Sequence, residues 1–171
     1  MIPSLRVDDR LIHGQIALVW CKAFGTNRIV VANDHALTDE VTRVSLQMAT
    51  PAGIKLLIKT VDDAIRLFHD PRAKEKDMFV LTNNIADALK IVKACPELVQ
   101  SVNVANVGRF DTLPPSEKTI ISSTIIVNHN EMAALRELAK LDIKAYQQVI
   151  PSDSKKPVKD LIKRFETKEE K

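Results

Sequence analysis

Residues 2–32 have the sequence IPSLRVDDRLIHGQIALVWCKAFGTNRIVVA, and this segment decides the fold. It begins with an apolar run over residues 2–7 and ends with the β-branched run RIVVA at residues 28–32, and both patterns are typical of buried strands. Between these runs, apolar residues recur at the spacing of one helix face: Ile16, Val19, Trp20 and Ala23. Gly25 follows at a position suited to end that helix, because glycine accepts the left-handed backbone conformation. The segment therefore predicts a strand–helix–strand unit.

The same alternation continues toward the C-terminus. Short apolar runs predict further strands at residues 54–58, 78–81, 101–105, 118–127 (one long strand or a strand pair) and 143–149. Capping residues predict helix starts at Thr38, Thr60, Asn83 or Asn84, and Asn128. The core face of the helix after Thr38 is expected to hold Val41, Val44 and Met48. A last helix is expected to bury Val158, Leu161, Ile162 and Phe165.

Strand–helix alternation of this kind is typical of α/β proteins. We predict a three-layer fold, in which an open, twisted, mostly parallel sheet of about seven strands carries helices on both faces. Ligands of such sheets bind beyond the carboxyl ends of the strands, at a switch point in the strand order. A functional site is therefore expected among the loops at residues 8–14, 33–37, 82–84 and 106–111.

Length and composition set limits on the class of protein. The 171 residues predict one domain over residues 1–165, followed by a frayed, charged tail at 166–171. Apolar residues make up 45% and charged residues 27%, which excludes collagen, low-complexity disorder and a disulfide-rich mini-protein. A net charge of +3 and an aromatic content of 4% do not favour nucleic acid as a partner.

Cysteine, histidine and glycine positions exclude several kinds of site. Cys21 and Cys95 lack zinc spacing, and no two histidines are four residues apart, so we expect no metal. Four glycines leave neither a dinucleotide-binding nor a P-loop motif, so we expect no cofactor. With no signal-peptide pattern and no apolar run of 18 residues, a cytoplasmic location is expected.

Residues 6–15 (RVDDRLIHGQ) are the best candidates for chemistry, because they leave the first strand and enter the first helix. The first helical N–H groups attract anions, and His13 lies next to them. Arg10 can bind phosphate oxygens with its planar fork. Asp8 or Asp9 can hold one ring nitrogen of His13 as N–H, which leaves the other nitrogen free to attack. These parts together describe a phosphorylatable histidine.

Three alternatives remain open at this point. The loop could be a surface ion-pair cluster in which His13 merely caps the helix. The fold also permits a nucleotide-binding enzyme, although its usual glycine motifs are missing. A regulatory domain could use the same loop to sense an anion without transferring it.

The motif RVDDRLIHGQ, followed by Trp20, strongly resembles the IIB component of the mannose/fructose/sorbose family of the bacterial sugar phosphotransferase system, which includes N-acetylgalactosamine members. Weaker resemblances follow in order at residues 29–34 (IVVAND), 47–53 (QMATPAG), 101–107 (SVNVANV), 118–122 (KTIIS) and 149–153 (VIPSD). The resemblance implies that His13 is the phosphorylated nucleophile, that Arg10 stabilises the phosphoryl group in transfer, and that Asp8 orients the imidazole. Gly14, Gln15 and Asp9 are the candidates for contacting phosphate. Glycine in the segment VANVG at residues 104–108 comes later than in many members, which leaves the sugar preference open.

The resemblance also implies a reaction and its partners. A phosphohistidine of a IIA domain or protein passes its phosphoryl group to His13, usually to Nδ1. His13 then passes it to a sugar held by the IIC and IID membrane components, which makes the chain a protein-Nπ-phosphohistidine–sugar phosphotransferase. Such a subunit is cytoplasmic and associates with the inner face of the membrane through IIC and IID. A homodimer is possible, and the identity of the sugar is left open.

Overall fold

Strands and helices alternate along most of the chain, as the sequence predicts. The structure is a computed structural model that describes residues 1–73 and 75–169; the side chains of Gln15, Ile16, Lys168 and Glu169 lie outside this description. Within the described residues the strands are β1 (Leu5–Asp8), β2 (Arg28–Ala32), β3 (Lys55–Lys59), β4 (Phe79–Thr82), β5 (Ser101–Asn106), β6 (Thr119–Ser122), β7 (Ile125–Val127), β8 (Lys144–Gln147) and β9 (Lys156–Pro157). The α-helices are α1 (Gly14–Ala23), α2 (Asp34–Thr38), α3 (Glu40–Ala49), α4 (Val61–His69), α5 (Ile85–Ala94), α6 (His129–Lys140) and α7 (Val158–Glu169).

Seven of the strands form one sheet in the order β3-β2-β4-β1-β5-β8-β9. Every neighbouring pair is parallel except β8 and β9, which are antiparallel. Residues of α4 to α7 pack on one face of this sheet, and residues of α1 to α3 pack on the other. The predicted class, an α/β fold with a mostly parallel sheet of about seven strands between helical layers, is confirmed.

The strand order creates a crevice at the carboxyl end of β1. This strand lies between β4 and β5. The chain leaves β1 into α1 on one face of the sheet, whereas it leaves β4 into α5 on the opposite face. Because the two loops diverge, the carboxyl end of β1 is the switch point at which ligands of such sheets bind.

Residues 118–127 form a strand pair, the second of the two predicted arrangements, but the pair stands outside the main sheet. β6 and β7 form an antiparallel hairpin, and the Ser122 hydroxyl accepts hydrogen bonds from the amides of Thr124 and Ile125 in its turn. The seventh strand of the main sheet is instead β9. β9 was not predicted, because a lysine followed by a proline shows neither apolar character nor alternation.

The predicted core face of α3 is wrong. Val41 and Met48 have 75% and 83% of their surface exposed, and Leu46 is the buried residue of this helix. Thr38 does not cap α3, because a short helix that the sequence did not predict, α2, ends there. The Asp39 carboxylate caps α3 by accepting the Thr42 N–H, and this entry turns Leu46 toward the sheet.

The buried face of α1 also differs from the predicted one. Val19 is exposed, whereas Ala17, Trp20 and Cys21 are buried. Trp20 determines this rotation, because its ring stacks on Phe79 and on Phe24 while its indole N–H donates to the Val149 carbonyl. The largest apolar side chain of the helix is thereby placed against the sheet.

Other local predictions are confirmed. Thr60, Asn84 and Asn128 cap α4, α5 and α6 with their side-chain oxygens. Helix α7 runs to Glu169 and so enters residues 166–171, for which a frayed tail was predicted. Residues 170 and 171 lie outside the described part of the chain. The division into a domain at residues 1–165 and a tail therefore stays a prediction.

Neither a membrane span nor a metal cluster is found in the part of the chain that the structure describes. No helix there is long and apolar enough to cross a bilayer. No group of three or more histidine, cysteine or acidic side chains in residues 1–73 and 75–169 is arranged to hold a metal ion.

Gly108 provides a test of how tightly the segment after β5 is packed. A Cβ atom there would lie 1.8 Å from the carbonyl oxygen of Ile126 in β7, and its φ is +85°. Gly53 has a similar φ of +83° but no heavy atom within 4 Å of the same position. We expect Gly53→Ala to cost about 1–2 kcal/mol of unfolding free energy for backbone strain alone. Gly108→Ala should cost about 1–3 kcal/mol more for the steric clash.

Denaturant unfolding of the two variants measures this difference. Equal losses would show that the loop moves away from β7 at no cost, which contradicts the tight contact.

Candidate active site

A short strained loop places His13 at the carboxyl end of β1. The backbone N–H of Leu11 donates to the carbonyl of Asp8 at 2.8 Å, which closes a tight turn directly after the strand. Leu11 itself has a φ of 56°, a left-handed conformation that costs a leucine about 1–2 kcal/mol. Its side chain is buried among apolar residues, and this packing holds the strained turn. His13 consequently occupies the N-cap position of α1.

The carboxylate of Asp8 is the centre of the site, and it is fully buried. Its Oδ2 accepts hydrogen bonds from Arg6 Nη2 at 2.9 Å, from Asn106 Nδ2 at 3.0 Å and from Arg6 Nε at 3.3 Å. The same oxygen lies 3.1 Å from Nε2 of His13, and Oδ1 accepts the backbone N–H of Arg10 at 3.3 Å. Groups from β1, from β5 and from the loop after β1 therefore share one carboxyl group.

Asp8 is held in its ionised form at neutral pH by its surroundings. Burial raises the pKa of this carboxyl, but the hydrogen bond from His13 and the charge of Arg6 outweigh burial and lower the pKa to about 2. A carboxylate can only accept hydrogen bonds. Nε2 of His13 must therefore carry the proton between the two groups, and in the neutral ring the lone pair is then on Nδ1.

The contact with Asp8 leaves Nδ1 as the ring nitrogen of His13 that does not face the carboxylate. The His13 side chain is 19% exposed, at the mouth of the crevice. Its tautomer is set by Asp8 in the way that a buried carboxylate orients the histidine of many nucleophilic sites. The predicted orienting role thus has a geometric basis at Asp8 rather than at Asp9.

Arg6 is the buried ion-pair partner of Asp8. Its guanidinium is 1% exposed, donates to the Gln148 carbonyl at 3.1 Å and lies 5.2 Å from the centre of the Trp20 ring. Burial lowers the pKa of Arg6, while the neighbouring Asp8 opposes that change. An arginine nevertheless stays charged in proteins, so Arg6 supplies a fixed positive charge to the carboxylate.

Arg10 is exposed at the rim of the crevice. Its backbone is fixed by the Asp8 carboxylate, two residues earlier. No ion pair of the Arg10 guanidinium occurs within residues 1–73 and 75–169. The fork is thus available for an anion that approaches His13. His13 precedes Gly14, the first residue of α1. Its side chain makes no capping hydrogen bond with the first helical turn.

Asp9 contacts a residue that was not among the candidates. Its carboxylate accepts hydrogen bonds from the backbone N–H and from Nε of Arg109, both at 3.1 Å, and it pairs with Nη2 of the same side chain. The Asp9 N–H donates to the Asn106 carbonyl. Contact of Asp9 with phosphate stays an untested prediction. In this structure the Asp9 carboxylate is bound to Arg109 and its N–H to Asn106. The side chain of Gln15 lies outside the described residues.

Two of the four predicted loops meet at His13, and the other two contact each other. The loop after β5 reaches the site through Asn106 and Arg109. The loops after β2 and β4 are joined by a hydrogen bond from Asn33 Nδ2 to Asn83 Oδ1. Thr82 donates to the Asn84 carbonyl. Their polar side chains are thus engaged in capping and in linking these two loops.

Arg6, Asn106 and Arg109 were left out of the predicted site residues. Arg6 had a usable signal, because an arginine between Leu5 and Val7 in a buried strand requires an ionic partner. Asp8 is two residues away and so lies on the same side of the strand. Arg109 had no such signal, because it is 100 residues away from Asp9 in the sequence.

Comparison with known proteins identifies the same architecture elsewhere. A family model described as the sorbose subfamily IIB component of the PTS system matches residues 2–171. A probable phosphotransferase enzyme IIB component of Streptococcus pyogenes is 47% identical over 163 residues, which are 95% of this chain and 99% of that protein. The crystal structure of the IIBSor domain of the sorbose permease from Klebsiella pneumoniae has a TM-score of 0.85 at 30% identity, and covers 96% of this chain and 97% of that one.

A longer relative contains a second part. The mannose-specific EIIAB component of Escherichia coli is 27% identical over 166 residues, which are 97% of this chain but 50% of that protein. The IIB-like half alone therefore corresponds to this chain.

The depressed pKa of Asp8 predicts a pH dependence of stability. The pKa of about 2 lies below the value of about 3.9 for an unfolded chain, so the stabilisation is complete above that value. It is lost as the pH falls through the folded pKa. We expect the difference in unfolding free energy between wild type and Asp8→Asn to shrink by about 2 kcal/mol from pH 5 to pH 2.

Urea unfolding of both proteins across this range measures the difference, since all other carboxyl groups are common to the two. A constant difference would show that the Asp8 carboxyl is not held ionised by its neighbours.

Proposed function

We propose that His13 is the phosphorylated residue of this chain, which belongs to the sorbose subfamily of IIB components of the sugar phosphotransferase system. Its members are phosphocarrier subunits, and the chain is accordingly a phosphotransferase component of sugar transport. The observation that carries the assignment of His13 is its hydrogen bond to the buried, ionised Asp8. That bond leaves Nδ1 with its lone pair at the surface of the crevice.

The incoming step transfers a phosphoryl group between two imidazoles. The donor is a phosphohistidine of a IIA domain or protein, a partner supported by the Escherichia coli relative named as an EIIAB component. The lone pair of His13 Nδ1 forms a new P–N bond as the donor's P–N bond breaks, and the donor ring keeps that electron pair and leaves neutral. The Nε2 proton of His13 stays on the ring. Asp8 then balances the positive charge that the phosphorylated ring acquires.

Arg10 has a different task in the same step. Phosphoryl transfer proceeds through a loose transition state whose charge lies on three equatorial oxygens, so that positioning and charge stabilisation supply most of the catalysis. The Arg10 fork, at the rim beside His13, provides donors that match two of these oxygens. The first N–H groups of α1 add further donors and the positive end of the helix dipole.

The outgoing step delivers the group to a sugar held by IIC and IID. A hydroxyl oxygen of the sugar forms the new bond to phosphorus, the P–Nδ1 bond of His13 breaks, and the hydroxyl proton is released. This step makes the chain a protein-Nπ-phosphohistidine–sugar phosphotransferase that works at the inner face of the membrane. The His13 side chain is 19% exposed, which suits a residue that must meet two macromolecular partners in turn.

The chain has four histidines, so the acceptor can be identified by substitution. The protein is mixed with phosphoenolpyruvate, enzyme I, HPr and a mannose-family IIA, and the acid-labile phosphate is mapped by mass spectrometry. We expect label on His13 alone and none on His13→Ala. His35→Ala, His69→Ala and His129→Ala are the matched controls and should be labelled like the wild type.

Label retained by His13→Ala would refute the assignment. An unlabelled wild type, with partners active on another IIB, would favour an anion sensor, and saturable binding of ATP or NAD would favour a nucleotide enzyme.

Arg10→Ala should fold normally and slow the transfer to His13 by about 100- to 1,000-fold, the effect typical of one lost donor to a transition-state oxygen. Arg10→Lys should give an intermediate rate, because it keeps the charge but loses the fork. Rapid-quench kinetics with phosphorylated IIA measure the rates. Arg43→Ala, on the exposed side of α3, is the control. A rate for Arg10→Ala within threefold of the Arg43→Ala rate would remove Arg10 from the mechanism.

A further inference from the structure

Arg109 brings a third arginine to the site, after Arg6 and Arg10. It follows Gly108, whose contact with the Ile126 carbonyl fixes the course of the chain after β5. The guanidinium lies against the carboxylate of Asp9, and its Nη2 is also 3.8 Å from Oδ1 of Asp8. The hydrogen bond to Asp9 is the main cause of a raised pKa at Arg109. The Arg109 side chain remains 33% exposed.

The charges at the end of β1 show what Arg109 does there. Asp8 is balanced by Arg6, which is buried with it. Asp9 is the second carboxylate at the end of β1, and its side chain is only 7% exposed. Within the described residues, its ion pair is with Arg109. Without Arg109, one uncompensated negative charge would stand in the loop of His13, four residues before it.

We propose that Arg109 is a positioning residue that sets the phosphoryl-transfer equilibrium of His13 by cancelling the charge of Asp9. This inference rests on the proposed role of His13. Phosphorylation of His13 adds roughly two negative charges to the site. A free carboxylate in the same loop repels them. With Arg109 in place, Asp9 presents no net charge, and the phosphorylated state becomes accessible.

A purely mechanical role makes a different prediction. If the pair only ties the loop after β5 to the loop after β1, removal of either partner would loosen the site to a similar degree. If the pair controls charge, the two removals act in opposite directions. Arg109→Ala leaves Asp9 uncompensated, whereas Asp9→Asn leaves a free positive charge.

The experiment measures the equilibrium of phosphoryl exchange between a mannose-family IIA and this chain, from the phosphorylated fraction of each protein. We expect Arg109→Ala to lower the equilibrium constant about 3- to 10-fold, a range suited to one partly exposed charge. Asp9→Asn should raise the constant, because it removes a negative charge and leaves that of Arg109. The double variant should return to within about twofold of wild type.

Two further arms make the result decisive. Arg109→Lys keeps the charge without the fork, so it should stay within about twofold of wild type. The effect of Arg109→Ala should also shrink between 50 mM and 500 mM salt, because partly exposed charges are screened. The exposed pair of Arg72 and Asp70 has the same arginine–aspartate chemistry, and Arg72→Ala and Asp70→Asn should leave the equilibrium unchanged.

Similar losses in Arg109→Ala and Asp9→Asn, with no recovery in the double variant, would overturn the proposal in favour of a mechanical tie. An Arg109→Ala equilibrium constant equal to that of wild type would overturn it as well. The labelling of wild-type His13 is read in the same samples. A missing label there would refute the proposed function, whereas a normal label with the results just described refutes only the role of Arg109.

Discussion

The site depends on one buried ion pair, that of Arg6 with Asp8. Taking two charges out of water is costly, and the cost is offset only when the geometry is good and the remaining lone pairs and protons are satisfied. Here Asp8 also accepts from Asn106 and lies against His13, while Arg6 donates to the Gln148 carbonyl. The pair therefore ties together the ends of β1, β5 and β8. The tautomer of His13 follows from this arrangement, because an ionised Asp8 leaves only one nitrogen for the proton.

The place of the candidate site in the fold could be predicted from the sequence. Alternating apolar runs and helical spacing specify a parallel sheet, and a charged motif at the first strand end marks its switch point. The rotation of α3 could not be predicted, since Val41, Val44 and Met48 have the right spacing for a core face. The short helix α2 and the cap at Asp39 decided otherwise. Local spacing cannot foresee how a preceding turn orients a helix.

Partners that come from distant parts of the chain mark the second limit. Arg6 could have been paired with Asp8, because both lie on one side of the same strand. Arg109 reaches Asp9 only because β5 is the neighbour of β1 and because the chain after β5 is held against β7. Strand order is a property of the whole fold, and a single sequence does not reveal it. Residue types alone therefore pointed to His13 as a candidate, but not to the charged partners around it.

The two edges of the sheet have a consequence for self-association. An exposed edge strand offers unpaired backbone groups to any similar strand, which is a common route to aggregation. One edge is β9, only two residues long, in which Pro157 has no N–H to donate. The other edge is β3, which begins and ends with lysines at positions 55 and 59, so that two copies brought together there would repel each other. Both edges thus disfavour edge-to-edge pairing of two copies, while the loops at the carboxyl end of the sheet lie away from either edge strand's flank.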